Sequence, residues 1–291
     1  MTITIGSRES ALAIVQSQFV MAALRAAHPA FTLALVTMKT TGDRILDRTL
    51  DQIGGKGLFV RELDAALREG QVDLTVHSCK DLPMEEDPAL PLVAFSRRED
   101  PRDALVLPLG QAEIDWAKPV GCASPRRSLQ LRALYPGIQV APIRGNVTTR
   151  LQKLDEGQFS ALILAAAGLR RLGLEERISR LFSPEEMLPA AGQGILAVQS
   201  RADFDRALLA CVDDPDSRDC ARGERAFVRA LGGGCSAPTA AYATVAGDTI
   251  TIRGMWADAR GRLHRGVVSG SRKEGPALAE GLARQLREEA L

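Results

Sequence analysis

Lysine is scarce in this chain. Of 37 basic residues only six are Lys, so arginine carries most of the positive charge. The three histidines, His28, His77 and His264, form no ligand cluster. The five cysteines, Cys79, Cys122, Cys211, Cys220 and Cys235, are odd in number, scattered and without a CxxC pair. That argues against a disulfide framework and against a zinc site, and no metal is expected. No apolar run approaches a membrane span. Residues 1–6 pass straight into a strand pattern with no signal-peptide layout. Together these absences predict a cytoplasmic protein with no membrane partner. The net charge is only +1, so there is no broad basic field of the kind that binds nucleic acid.

What is present is an ordinary globular composition, 45% hydrophobic and 25% charged over 291 residues, enough for two or three domains. The pattern organises around Val76-His77-Ser78-Cys79-Lys80-Asp81-Leu82-Pro83. Val72 and residues 74–76 read as a short buried strand, and Pro83 stops regular structure. Lys80 and Asp81 then sit at the C-terminal mouth of a strand, where open α/β sheets bind ligands. Taken alone, such a pair also fits a solvated surface ion pair.

The same layout recurs along the chain. A strand at 3–6 runs into Ser7-Arg8-Glu9-Ser10 and a helix to about residue 27, with Ser10 as its N-cap. Arg8 beside the free N–H groups of that first turn makes an anion site or a structural ion pair. A strand at 31–38 precedes a polar stretch, 40–57, that holds Gly54-Gly55-Lys56-Gly57. That spacing is not a phosphate-binding loop, and the stretch reads as a mobile loop or lid. A helix at 59–69 and a strand at 92–95 follow. The charged, Pro-broken run 97–103 reads as a hinge between domains. Beyond it come strands at 104–107 and 119–122, then Ser124-Pro125-Arg126-Arg127. Ser followed by Pro is a strong helix start, and two arginines in a first turn oppose the helix dipole. They fit a bound anion, or else an exposed pair. A strand at 139–143 ends in Arg144-Gly145-Asn146, with Asn146 capping a helix that bears Arg150. A strand at 161–164 precedes a helix bearing Arg170 and Arg171. The alternation predicts a mainly parallel α/β sheet.

Residues 188–194 read as a turn-rich linker, and a strand at 195–199 could return to the first domain. A helix at 218–231 ends in Gly232-Gly233-Gly234-Cys235, more glycine than a cap needs. Cys235 is therefore an inert small residue on an exposed loop, or a thiol placed for covalent chemistry. Strands at 240–245, 249–256 and 266–269 and a helix at 276–289 read as a separate α+β unit. If the arginines face one cleft around Asp81, a polycarboxylate is the ligand that matches them, and Asp81 could stabilise a cation or move protons.

These residues resemble the porphobilinogen deaminases (hydroxymethylbilane synthases). The resemblance runs through Gly6-Ser7-Arg8-Glu9-Ser10-Ala11-Leu12-Ala13, Gly54-Gly55-Lys56-Gly57-Leu58-Phe59, His77 to Pro83, Arg98-Glu99-Asp100-Pro101-Arg102-Asp103-Ala104, Arg144-Gly145-Asn146-Val147, Leu188-Pro189-Ala190-Ala191-Gly192-Gln193-Gly194 and Gly233-Gly234-Cys235. Each is weak alone; together and in this order they are specific. The resemblance implies head-to-tail joining of four porphobilinogen units, each losing ammonia, to hydroxymethylbilane in tetrapyrrole and heme biosynthesis. The product grows on a dipyrromethane cofactor tied by thioether to the matching cysteine, Cys235. Asp81 matches the catalytic acid. Lys80, Ser124, Arg126, Arg127, Arg144 and Arg150 match cofactor contacts, Arg8, Ser10 and Arg171 match substrate contacts, and Lys56 falls in a mobile loop.

The implied fold is α/β: two periplasmic-binding-protein-like lobes joined by hinges near Glu99 and Leu188, plus a small C-terminal α+β domain. The expected domains are 1–97 with 194–213, 98–193, and 214–291, in a monomer without an obligate protein partner. Cys79, Cys122, Pro125 and Gly232 depart from the family pattern. Cys122 puts one hydroxyl contact in question, and Cys79, beside the acid, raises the expectation of an oxidation-sensitive enzyme. The rival reading is a non-catalytic two-lobed binding protein for a polycarboxylate, which would need neither Asp81 nor Cys235.

Overall fold

The structure, a computed structural model, describes residues 1–44, 60–233 and 237–290. Lys56 and Cys235 lie outside the described residues.

The chain opens with strand β1 (Thr2–Arg8), helix α1 (Ala11–Ala27) and strand β2 (Thr32–Met38). The helix starts where it does because the Ser10 side chain accepts a hydrogen bond from the Ala13 N–H at 3.3 Å. A helix at Arg61–Arg68 leads to β3 (Leu74–Ser78), and β4 is Leu92–Phe95. The second run holds β5 (Asp103–Val106), β6 (Val120–Gly121), β7 (Val140–Ala141), β8 (Ala161–Ala165) and β9 (Arg180–Leu181). Its helices are Pro125–Leu134, Val147–Asp155 and Ala166–Arg171. Strand β10 is Leu196–Ser200.

These strands make two five-stranded sheets, ordered β2-β1-β3-β10-β4 and β7-β6-β8-β5-β9. In each, three parallel strands are followed by one antiparallel strand and then by an edge strand that runs with the first three. The first sheet buries Ile3, Ile5, Leu74, Val76 and Val198 against Val20 and Leu24 of α1. The second is covered on both faces, which is why β8 reads as an unbroken apolar run. Each sheet's antiparallel strand arrives straight from the other sheet. The chain crosses from β4 to β5 and returns from β9 to β10. The strand expected at 195–199 therefore does lie in the first sheet, as β10 between β3 and β4.

The two crossings run side by side. The Glu99 N–H donates to the Gly194 carbonyl at 3.1 Å, and the Ser96 N–H donates to the Leu196 carbonyl at 2.9 Å. Gly194 has φ +90°, and a Cβ there would sit 2.3 Å from the Glu99 carbonyl oxygen, so only glycine lets the crossings touch.

The C-terminal part pairs β11 (Thr239–Ala246), β12 (Thr249–Ala257) and β13 (Leu263–Ser271) antiparallel. Helices Pro215–Ala230 and Gly275–Glu288 cover it, with Phe227, Ile250, Ile252, Leu282 and Leu286 as its core. The first of these helices begins three residues earlier than its pattern predicts. Asp214 caps it, accepting from the Ser217 N–H at 2.7 Å, and Pro215 opens the first turn.

Candidate functional site

A cavity of about 540 Å³ opens between the two sheet–helix lobes, at the C-terminal ends of their parallel strands. The mouth of β1 supplies Arg8 and Ser10. The helical turn Cys79–Asp81, directly after β3, supplies Lys80 and Asp81. From the other lobe come Ser124, Arg126 and Arg127 after β6, Arg144 and Arg150 after β7, and Arg171 after β8. Ten of the twelve side chains singled out from the sequence thus line one cavity. Ala237, two positions beyond Cys235 in the chain, lines it too, as do Thr239 and Val228.

Asp81 is exposed to the cleft, while Lys80 beside it is half-buried. The Lys80 ammonium donates to Gln193 Oε1 at 3.4 Å. Burial, together with the neighbouring Arg127, pulls its pKa down to about 8. Arg126 and Arg127 are both buried, and the anion they meet belongs to the protein. Arg126 Nη1 donates to Asp103 Oδ2 at 2.7 Å, and Arg127 Nε to Asp103 Oδ1 at 2.9 Å. Gln193 Nε2 adds a third bond to Asp103 Oδ1 at 2.9 Å. Burial alone would raise the Asp103 pKa; the two arginines override it and hold the carboxyl well below the usual range. The notion of an exposed pair at 126–127 is corrected: two guanidiniums share one carboxylate at the head of β5, and a surplus positive charge remains.

Asn146 caps its helix, accepting from the Thr149 N–H at 2.9 Å. Arg150 Nε donates to the Gly145 carbonyl at 2.8 Å, and Arg171 Nη2 to the Gly194 carbonyl at 2.6 Å. Both guanidiniums are lowered to about 10, Arg150 by burial and by Arg127 and Arg144, Arg171 by burial. Ser124 stands at the N-cap of Pro125–Leu134 without a side-chain cap bond, and it lines the cleft. Among the described residues, eight cationic side chains and two carboxylates line the cavity. Such a donor set fits a ligand rich in carboxylates, and a dipyrromethane carries an acetate and a propionate on each ring.

Cys79 is not a reactive neighbour of the acid. Its side chain is fully buried against Gly192, and burial pushes its thiol up to about 11. The expected oxidation sensitivity at this position is therefore withdrawn. Cys122 is also buried, its thiol 3.6 Å from the Ser124 carbonyl.

Sequence reading missed Asp103, Gln193 and a hinge pair. Arg98 Nη2 donates to both carboxylate oxygens of the fully buried Glu224, at 2.7 and 2.8 Å. Glu224 also accepts from the Gly192 and Ala243 N–H groups, each at 2.7 Å. One carboxylate of the C-terminal part thus grips both crossings. Asp103 opens a wholly buried strand and Glu224 lies among the buried residues of its helix, and that burial is a tertiary fact the local sequence does not carry.

The chain matches two family models, "Porphobilinogen deaminase, dipyromethane cofactor binding domain" over residues 3–209 and "Porphobilinogen deaminase, C-terminal domain" over 219–291. A porphobilinogen deaminase of Acetivibrio thermocellus is 55% identical over 286 residues, covering 98% of both chains. One of Ruminiclostridium cellulolyticum is 56% identical over 285 residues, 98% of this chain and 97% of that one. One of Chromobacterium violaceum is 50% identical over 287 residues, 97% and 92%. Among solved structures, the periplasmic aliphatic sulphonate binding protein SsuA from Escherichia coli is similar over 79% of this chain and 70% of its own. Its TM-score of 0.41 and identity of 13% carry no argument. The cationic cleft and the two family models agree: this chain belongs to the porphobilinogen deaminase family.

Proposed function

We propose that the interlobe cleft performs the family's reaction, the stepwise condensation of four porphobilinogen units with loss of ammonia, with Asp81 as its acid–base group and Cys235 as the anchor of a dipyrromethane. The observation that carries this reading is the gathering of Asp81 with eight cations on one cavity that Ala237 also lines.

When bound, the dipyrromethane supplies a free pyrrole carbon as the nucleophile for the first addition. Lys80, Ser124, Arg126, Arg127, Arg144 and Arg150 would hold its carboxylates. Those carboxylates would neutralise the surplus charge around Asp103 and offset the cost of burying guanidiniums together. Arg8, Ser10 and Arg171 orient the acetate and propionate of the incoming porphobilinogen. The Asp81 carboxylate stabilises positive charge developing on the substrate as ammonia leaves. It would then accept the proton lost by the attacking pyrrole carbon after the C–C bond forms. Lys56, outside the described residues, belongs to the same proposal as a substrate contact. Water finally releases the linear product.

The domain limits 1–97 with 194–213, 98–193 and 214–291 belong to the same proposal, supported by sheet membership and by the paired crossings at 96–99 and 194–196. So does a cytoplasmic monomer, supported by unbonded thiols at Cys79, Cys122, Cys211 and Cys220. No helix among the described residues is long and apolar enough to cross a membrane.

Intact mass under denaturing conditions tests the assignment. The parent should carry the excess mass of two linked pyrroles, and Cys235→Ser should not. A bare parent that gains no adduct from porphobilinogen would sink the proposal.

A further inference from the structure

Helix Pro215–Ala230 leads toward Cys235, and two adjacent residues near its end reach in different directions. Glu224 grips the crossings between lobes. Arg225 reaches into the first lobe. Its side chain is 3% exposed, and Nη2 donates to the Pro83 carbonyl at 2.6 Å and the Met84 carbonyl at 3.4 Å. The Glu86 carboxylate lies 3.6 Å away. Arg225 Nη1 is buried without a hydrogen-bond partner. Burying a guanidinium with a donor unused is costly, and an apolar residue would fill the same space at less expense. The carbonyls it holds belong to the second and third residues after Asp81. Toward the other lobe, Arg265 on the exposed side of β13 donates to the Glu185 carbonyl at 2.7 Å and to Gln130 Oε1 at 3.0 Å, beside the buried packing of Leu188 on Ala240 and Met255.

We propose that Arg225 is a positioning residue for Asp81: it ties the turn carrying the acid to the helix that leads to the cofactor cysteine. This inference rests on the Asp81 and Cys235 assignments above.

The test uses the loaded holoenzyme with porphobilinogen as substrate, with loading checked by intact mass. R225M and R225K are made in the parent and in D81E, which keeps a carboxylate but displaces it by one methylene. R225M should lower kcat roughly ten-fold or more with KM changed by about two-fold at most, and R225K should restore part of the rate. In D81E, R225M should add little, because the acid is already out of place. A kcat within about two-fold of the parent overturns the proposal, and so does an equal loss in both backgrounds. If R225M does not fold, R225K decides by the same comparison. D81N run alongside separates the two ideas: full activity in D81N sinks the Asp81 assignment, while an inactive D81N with unimpaired R225M sinks only the role of Arg225.

Discussion

Asp103 shows how context decides a residue's part. In sequence it closes a run of solvated-looking charges, 97–103, and reads as hinge. In the fold it is the first residue of β5, with no exposure, and it carries Arg126, Arg127 and Gln193. By contrast Ser10 and Asn146 were legible as caps, because a cap depends on its own helix and on nothing distant. His77 makes the same point through pH. It lies buried on β3, its Nε2 2.9 Å from Thr75 Oγ1. Burial lowers its pKa from 6.5 to about 4. The unfolded chain therefore takes up this proton between those values and the folded chain does not, so acidification through that window favours unfolding. Going from pH 7 to about pH 4.5, this one group should cost about 2 kcal/mol of stability. Urea denaturation at both pH values should show a smaller acid loss in H77Q than in the parent; equal losses would refute the assignment.

At the scale of elements, most strands and helices were readable because both periods are plain, down to β4 at Leu92–Phe95. The two-residue edge strand Arg180–Leu181 was not, since it is too short to carry a period and exists through pairing with β5. The crossings were readable as breaks but not as a joint. Their pairing depends on Gly194, whose φ and whose distance to Glu99 are tertiary facts. Two glycine substitutions separate these effects. Gly173 has φ +66° with nothing within 4 Å of a Cβ, so G173A should cost about 1 kcal/mol, the strain of the left-handed backbone alone. G194A adds a clash with a backbone carbonyl and should cost several-fold more. Thermal denaturation that ranked the two variants equally would argue against a close-packed joint.

Over the whole molecule, the lobes share one plan. The order and directions of β2-β1-β3-β10-β4 repeat in β7-β6-β8-β5-β9. In that correspondence Ser10 after β1 stands opposite Ser124 after β6, and each lobe turns a helix start and its arginines toward the cleft. The cleft's chemistry was legible from the sequence as a set of polar turns after strands. Its shared outlook was not, because nothing local says that two sheets face each other. The surplus of cations predicts a salt signature: KM for porphobilinogen should rise roughly three-fold or more from low to high salt while kcat stays nearly constant. A flat KM would mean that the cations do not bind the substrate.

The reciprocal exchange of strands has a consequence for how the chain is made. When β3 leaves the ribosome, its partner β10 is still 118 residues from its first residue, since β3 ends at Ser78 and β10 begins at Leu196. At ordinary elongation speeds that gap lasts on the order of ten seconds. Throughout it the strand that leads to Lys80 and Asp81 offers an unpaired edge. The first lobe cannot be finished before the second has been synthesised, so the nascent protein matures as a whole and the acid's own strand is among the last places to be sealed.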